Sequence, residues 1–171
     1  MLRPLAGMSE PLSTEHHPAS ADTEVLSTFY PVPGFGLLPI NAFLLRAAEP
    51  VLVDAGVIAL RSAFLAALED SIDLDDLRWI WLTHTDPDHL GCLDEVLAAA
   101  PEARVVTTFL GMGKQGLSRA VPPERMLLLN PGQALDVGDR RLRAVKPPSY
   151  DAPETTGLFD EKTRALFSSD C

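Results

Sequence analysis

Hydrophobic positions fall into short runs and helically spaced sets, separated by polar, glycine- or proline-containing segments. The short runs predict strands at residues 25–29, 42–47, 51–53, 77–82, 104–108, 126–129, 134–137 and 142–145. Residues 158–159 and 165–168 predict a hairpin around the polar segment 160–162. Helical spacing predicts two amphipathic helices, one through Leu60, Phe64, Leu65 and Leu68 and one through Leu93, Val96, Leu97 and Ala100. Residues 109–117 predict a further, short helix. Helices alternate with strands early and short strands dominate late, which predicts a mixed α/β class.

Two segments lack this periodicity. Residues 1–22 are rich in Pro, Ser, His and Glu and predict a flexible N-terminal tail. Residues 31–39 contain several Gly and Pro and predict a loop. With 171 residues in total, we expect one folded domain over residues 23–171.

The richest set of metal-ligand side chains follows the predicted strand 77–82. Residues 83–91 read Thr-His-Thr-Asp-Pro-Asp-His-Leu-Gly, so the ligand-type side chains are His84, Asp86, Asp88 and His89. Imidazoles and carboxylates are common ligands of divalent metals. An alternative is that Asp88 caps the following helix, but capping explains one Asp and neither His. On an irregular loop, the two pairs can face two different ions.

Composition narrows the possible partners. A formal net charge of −10 disfavours nucleic-acid backbones and anionic membrane surfaces. No apolar run approaches the roughly 18 residues of a membrane span, and the N-terminal segment lacks the apolar core of a secretory signal. The two cysteines, Cys92 and Cys171, are too few for a disulfide framework, so we expect a reducing cytoplasm.

A second motif has a weaker meaning. Residues 111–116 read Gly-Met-Gly-Lys-Gln-Gly and match the dinucleotide-binding pattern G-x-G-x-x-G. Pro122 and Pro123 interrupt the helix that such a site requires. The interpretation that we favour is a glycine-loosened helix start, without cofactor binding.

Residues 83–91 resemble the metallo-β-lactamase superfamily signature T-H-x-H-x-D-H-x-G. Three further segments resemble strands of that family, namely Asn-Ala-Phe-Leu-Leu at 41–45, Val-Leu-Val-Asp-Ala-Gly at 51–56 and Leu-Phe-Ser-Ser-Asp at 166–170. The resemblance implies an αββα four-layer sandwich. Asp86 stands where the hydrolases have a second His, and with Pro87 after it the motif is similar to H-x-E-P-D-H-x-G of the flavodiiron branch.

The resemblance also implies a ligand set for two metal ions. The first ion would take His84, Asp86 and Asp151, the second Asp88 and His89, and Asp170 would bridge them. Asp151 comes from matching residues 151–155 to the branch's H-W-P-D-S-like stretch, and Ser149 is the competing match. The family's last His lies beyond the bridging Asp, whereas this sequence ends at Cys171. We therefore expect a C-terminally truncated domain whose second ion is completed by a longer protein, another chain (a homo-oligomer included) or water.

These expectations define the predicted function. An oxygen-rich ligand set favours iron, with zinc or manganese as alternatives. We expect a metal-dependent oxidoreductase, a non-haem di-iron protein that binds or reduces the small molecules dioxygen or nitric oxide, with an external electron donor and Asp88 as the catalytic carboxylate. One alternative is a metal-dependent hydrolase of an ester, thioester or lactone. Another is a degenerate, non-catalytic metal-binding domain.

Overall fold

A computed structural model describes residues 13–117, 121–149 and 151–170, which form two stacked β-sheets with helices against the larger sheet. The strands are β1 Thr14–Pro18, β2 Thr23–Val32, β3 Gly36–Leu45, β4 Val51–Val53, β5 Trp79–Trp81, β6 Arg104–Thr107, β7 Met126–Leu128, β8 Ala134–Asp136, β9 Arg141–Val145, β10 Gly157–Asp160 and β11 Leu166–Phe167. The α-helices are α1 Arg61–Ser71, α2 Pro87–Leu90, α3 Leu93–Ala99 and α4 Phe109–Gln115. Short 3₁₀ helices span Ile58–Leu60, Leu74–Asp76 and Pro123–Arg125.

The larger sheet has the order β1-β2-β3-β4-β5-β6-β7. The pairs from β1 to β4 are antiparallel, and the pairs from β4 to β7 are parallel. The smaller sheet is antiparallel, in the order β11-β10-β9-β8. Because parallel strands end at the same edge of a sheet, the loops after β4, β5 and β6 lie together, where α/β proteins commonly bind ligands.

Alternation along the strands builds two cores. Leu52 and Ile80 face the helices and pack with Phe64 of α1 and Val96 of α3. Their strand neighbours point the other way, and Val53 and Trp81 pack against the smaller sheet. The structure thus stacks helices, a large sheet and a small sheet, which confirms the predicted α/β class.

Residues 31–39 are not the predicted loop. Strands β2 and β3 continue as a hairpin arm in which Pro31 pairs with Leu37 and Pro39 with Phe29. Among the described strands, β1 pairs only with residues 24–28 of β2, and β4 pairs only with residues 43–45 of β3. The arm therefore has free edges, and proline is tolerated where no further partner needs its missing N–H.

The tail prediction also differs from the structure. Residues 1–12 lie outside the described part, but Thr14–Pro18 form the edge strand β1. His16 Nε2 lies 2.8 Å from Asp70 Oδ2, which joins β1 to α1. An edge strand with mostly exposed side chains lacks the apolar alternation that reveals a strand in sequence.

Other sequence predictions have mixed outcomes. The strands after residue 100, the final hairpin and the three helices are found within a few residues of the predicted bounds. Gly111 lies inside α4, where a Cβ would come within 2.3 Å of Thr107 Oγ1, so close packing explains this glycine. Cys92 is buried and its Sγ donates a hydrogen bond to the carbonyl of Val57, and Cys171 lies outside the described residues. Within the described ranges, no helix is long and apolar enough to cross a membrane.

Candidate metal centre

The predicted ligand loop follows β5 at the edge where β4 also ends. Asp86 occupies the N-cap position of α2 without a side-chain capping bond, and Pro87 begins the helix. The next helix, α3, has Cys92 at its N-cap position, also without such a bond. The capping alternative therefore explains neither Asp86 nor Asp88, and both carboxylates are left for another role.

The loop brings both histidines to Asp170, which follows β11. Among the described residues, His84, His89 and Asp170 form a group whose ligand atoms lie within 4.8 Å of one another. Asp170 Oδ1 lies 3.0 Å from His89 Nε2, and Asp170 Oδ2 lies 3.7 Å from His84 Nε2. One carboxylate thus presents one oxygen to each imidazole, as a ligand between two ions does.

The ring nitrogen Nε2 of His84 is a second reason why these side chains fit a metal. His84 Nε2 is buried and has no hydrogen-bond partner in the described part of the chain. A buried polar nitrogen without a partner is costly. The orphaned nitrogen faces Asp86 Oδ2 at 3.9 Å as well as Asp170, so a cation among them would satisfy all three groups.

The other predicted ligands fall into two classes. Asp86 lies beside His84, and Asp88 Oδ2 lies 3.8 Å from His89 Nε2, so each histidine has a carboxylate neighbour from the loop. Asp151 does not join this group. It is exposed, its Oδ2 accepts a hydrogen bond from Thr155 Oγ1 at 3.2 Å, and it lines a separate cavity with Ser149, the competing match.

Asp54 orients the second histidine. It follows β4, is 3% exposed and accepts hydrogen bonds from His89 Nδ1 at 2.8 Å and from the backbone and hydroxyl of Thr83. With Nδ1 held in this way, His89 directs Nε2 toward Asp170. Ser169 Oγ plays the same part for His84, at 3.0 Å from its Nδ1. Such outer partners commonly fix the ring orientation of metal-binding histidines.

The electrostatics of the site favour a cation. Burial opposes a charge on His89, but the hydrogen bond to Asp54 and the charges of Asp54, Asp170 and Asp88 outweigh it and raise the pKa of His89 to about 9. Carboxylates that hold a proton on a buried imidazole in this way also attract a metal ion. The proton and the metal would compete for Nε2.

Lys114 of α4 closes the other side of the site. Its Nζ donates to Glu154 Oε1 at 2.5 Å and to Asp86 Oδ1 at 3.3 Å. Burial raises the pKa of Glu154, but the bonds from Lys114 and Thr85 and the lysine charge outweigh this and lower it. The hydrogen bond to Glu154 in turn raises the pKa of Lys114. The ammonium of Lys114 and the carboxylate of Glu154 are therefore charged at neutral pH.

Sequence reasoning did not assign Asp54, Ser169, Lys114 or Glu154 to the site. Asp54 carried a usable signal, because a carboxylate directly after the buried strand Val51–Val53 is unusual unless it serves a site. Lys114 and Glu154 carried none, since they lie 28 or more residues from Asp86 along the chain.

A cavity of about 620 Å³ opens onto the same groups. Asp88, His89 and Asp170 lie on its polar side, and β3 and β11 supply an apolar wall. The wall residues are Leu38, Pro39, Ile40, Phe43, Leu166 and Phe167. A small molecule entering this cavity reaches the candidate metal groups.

Two stacked sheets, outer helices and a His/Asp cluster on the loops after β4, β5 and β11 define a metallo-β-lactamase-like domain. A sequence model described as the ODP family beta lactamase matches residues 38–171. The chain belongs to this family, which confirms the resemblance seen in the sequence motifs.

Individual relatives point to one branch. The chain is 30% identical over 132 residues to diflavin flavoprotein A 1 of Synechocystis sp., covering 76% of this chain and 23% of that protein. It is 28% identical to the anaerobic nitric oxide reductase flavorubredoxin of Salmonella typhi, over 76% of this chain and 27% of that protein. The crystal structure of the flavodiiron protein from Giardia intestinalis superposes with a TM-score of 0.80 at 15% identity, over 93% of this chain and 41% of that one.

The chain thus spans about a quarter of the length of these curated relatives. The structural likeness, at its low identity, establishes a shared fold. The homologues place the domain with the flavodiiron proteins, as the Asp-Pro-Asp-His motif indicated.

Proposed function

We propose that this domain holds a dinuclear iron centre and contributes it to the reduction of dioxygen or nitric oxide. The observation that carries the proposal is Asp170, whose two oxygens face His84 and His89 separately. A bridging carboxylate with one imidazole on each side is a ligand set for two ions. The flavorubredoxin relative is named a nitric oxide reductase, which supports this substrate class.

The proposed ligands divide between the ions. His84 and Asp86 would hold the first ion, Asp88 and His89 would hold the second, and Asp170 would offer one oxygen to each. The distances between each histidine and its carboxylate neighbour support this division. Asp151, which the motif match predicted for the first ion, lies outside this group and lines a separate cavity, so the proposed ligand set leaves it out.

The residues of this chain prepare the site for the metal. Iron supplies reversible one-electron chemistry when bound, and the oxygen-rich donors suit its oxidised state. Asp54 holds His89 with Nε2 toward Asp170, Ser169 holds His84 in the corresponding way, and Asp88 lines the cavity where a substrate approaches.

The electrons come from an outside donor, and the flavoprotein names of the relatives favour a flavin-containing one. A reducing cytoplasm is the proposed setting, since two cysteines are too few for a disulfide framework.

Metal loading tests the proposal. After anaerobic loading with Fe²⁺ and removal of the excess, we expect about two iron ions per chain, and admission of oxygen should change the visible spectrum. Less than one ion per chain, or a spectrum that oxygen does not alter, would contradict the di-iron proposal.

Variants test the ligands. Asp88→Ala and His89→Ala remove donors of the second ion only, so each is expected to lose about one iron per chain while the circular-dichroism spectrum is retained. Asp136→Ala, an exposed carboxylate in the smaller sheet, is the matched control and should bind as much iron as the parent. If both site variants keep full occupancy, the ligand assignment is wrong.

A hydrolase is the second candidate, and the cavity favours it. The cavity volume is in the range that holds drug-sized ligands and is far larger than a diatomic gas requires. Two metals can activate water for attack on an ester, thioester or lactone. The negative charge of Asp86 counts against this role, because it reduces the Lewis acidity of the first ion. Binding of two zinc ions per chain together with turnover of a model thioester would support the hydrolase. If the chain binds no stoichiometric metal, the remaining candidate is the degenerate, non-catalytic domain.

A further inference from the structure

The ammonium of Lys114 joins two carboxylates beside the candidate metal centre. It donates to Asp86 Oδ1 and, at a shorter distance, to Glu154 Oε1. The other oxygen of Asp86, Oδ2, is the one that faces His84 Nε2. The two oxygens of Asp86 are therefore turned toward different partners, one toward the lysine and one toward the candidate first ion.

Glu154 gives the lysine a fixed support. Its side chain is 5% exposed, and Oε1 also accepts a hydrogen bond from Thr85 Oγ1 at 3.0 Å. Its backbone carbonyl accepts from Thr108 Oγ1 at 3.3 Å, and the nearby amide of Thr156 donates to the carbonyl of Thr83 at 2.7 Å. A buried carboxylate held at several points restricts the lysine that binds it, although the lysine side chain itself is half-exposed.

We propose that Lys114 is a positioning residue that holds Asp86 as a one-oxygen ligand of the first ion. The inference rests on the proposed function, which assigns Asp86 to that ion. The lysine occupies Oδ1 and leaves Oδ2 for the metal. Without it, the half-exposed carboxylate of Asp86 is free to rotate or to turn both oxygens toward solvent.

The same arrangement recurs at the other ligands, which supports the inference. His89 is oriented by Asp54 and His84 by Ser169, each through the ring nitrogen that points away from the centre. Lys114 holds Asp86 through the oxygen that points away. Loss of such an outer partner typically weakens metal binding by about 10- to 100-fold.

The test separates orientation from charge. Lys114→Met removes a positive charge that itself repels a metal ion, so the informative variant is Lys114→Met with Glu154→Gln, which leaves the net charge unchanged. The metal-free chain is titrated with Co²⁺ and followed by its visible absorption bands. Asp86→Asn and Asp88→Asn identify the bands of the first and second ion. We expect the double variant to bind the first ion about tenfold or more weakly and the second ion as the parent does.

Two controls complete the design. Arg143→Met with Glu161→Gln removes an ion pair of the smaller sheet without changing net charge, and should leave both ions unaffected. Lys114→Arg keeps a charged donor and should retain the parent's first-ion bands. Unchanged binding by the Lys114/Glu154 variant, or equal weakening at both ions, would overturn the inference while leaving the metal centre in place. A parent chain that takes up no Co²⁺ and no iron would remove the proposed function itself, and the inference with it.

Discussion

At the level of single residues, the backbone conformation and the hydrogen bonds of Asp54 together explain how it orients His89. Its backbone has a φ of 61°, in the left-handed region that non-glycine residues seldom adopt and that Asp and Asn tolerate best. Its carboxylate binds both Thr83 and His89. The unusual backbone turns the side chain from the end of β4 toward the ligand loop, and buried donors on both sides keep it there. A local strain is thus matched by hydrogen bonds that orient a candidate ligand.

Asp54→Asn tests this role without disturbing the backbone. Asn tolerates the same φ, but its amide carries no negative charge to stabilise a charged His89 or to orient a metal-bound one. We expect the second ion to bind about 10- to 100-fold more weakly, with the first ion little changed. Titration with Co²⁺ measures both. Asp75→Asn, on an exposed 3₁₀ turn, is the control, and equal affinities for the two variants would contradict the role of Asp54.

At the level of elements, the segment after β4 is joined to the end of α2. Ala55 N donates to the carbonyl of His89, Gly91 N donates to the carbonyl of Gly56, and Cys92 N donates to the carbonyl of Ala55. These backbone bonds set where His89 lies relative to Asp54. A Cβ at Gly91 would come within 2.3 Å of Ile58 N and 2.7 Å of the Gly56 carbonyl oxygen, so only glycine allows this approach.

Gly91→Ala is therefore expected to destabilise the domain. The added methyl meets backbone atoms that cannot move aside, and we expect a loss of about 3 kcal/mol in the free energy of unfolding, measured in urea. Gly113→Ala is the matched control, because a Cβ there meets nothing within 4 Å and Gly113 lies inside α4. That variant should gain about 0.5–1 kcal/mol. A Gly91→Ala domain as stable as its parent would show that the two segments can separate at little cost.

Across the whole molecule, Arg140 links the two sheets. Its side chain is 2% exposed and contacts Asp22, before β2 of the larger sheet, at 2.7 Å, and Asp160 of β10 in the smaller sheet at 3.1 Å. Asp139 is a third partner, at 2.9 Å. A buried guanidinium with three carboxylates thus ties the start of β2 in the larger sheet to β10 in the smaller sheet. Removal of the arginine alone would leave the buried carboxylate of Asp160 uncompensated.

The same cluster predicts how stability depends on pH. The bonds from Arg140 and Lys162 lower the pKa of Asp139. For Asp160, burial raises the pKa, but the bonds from Thr163, the Lys162 amide and Arg140 outweigh it and lower it. Lowered folded-state pKa values give stability that is complete above the unfolded pKa of about 3.9 and is lost as pH falls below it. We expect the free energy of unfolding to decline progressively as pH falls below about 4.

Urea titrations at several pH values measure this dependence. A double variant, Asp139→Asn with Asp160→Asn, lacks both titrating groups and should be less stable at pH 7 and less sensitive to acid. Glu102→Gln with Asp136→Asn removes two exposed carboxylates and serves as the control. Identical slopes for the parent and the cluster variant would rule out this source of acid sensitivity.

Features that depend on neighbouring residues could be predicted from the sequence, and features that depend on residues far away along the chain could not. Apolar periodicity is local, so it predicted β4, α1 and α3 closely. The arm of residues 29–39 and the edge strand β1 were missed, because proline content and exposed polar residues hide strands whose pairing comes from a partner. The two cores also depend on tertiary structure. Side chains alternate between the two faces of each strand of the larger sheet, and each face becomes a core only when helices cover one side and the smaller sheet covers the other.

For the site, the sequence alone determined the loop that carries His84 to His89, because four ligand-type side chains in a short segment after a buried strand have few other uses. The family and the pairing with Asp170 followed from motifs. Only the tertiary structure decided that Asp54, Ser169 and Lys114 hold those side chains, and that Asp151 lies apart from them. The physical reason is that a ligand's identity is a property of one residue, whereas its orientation depends on partners that chain folding brings from distant positions.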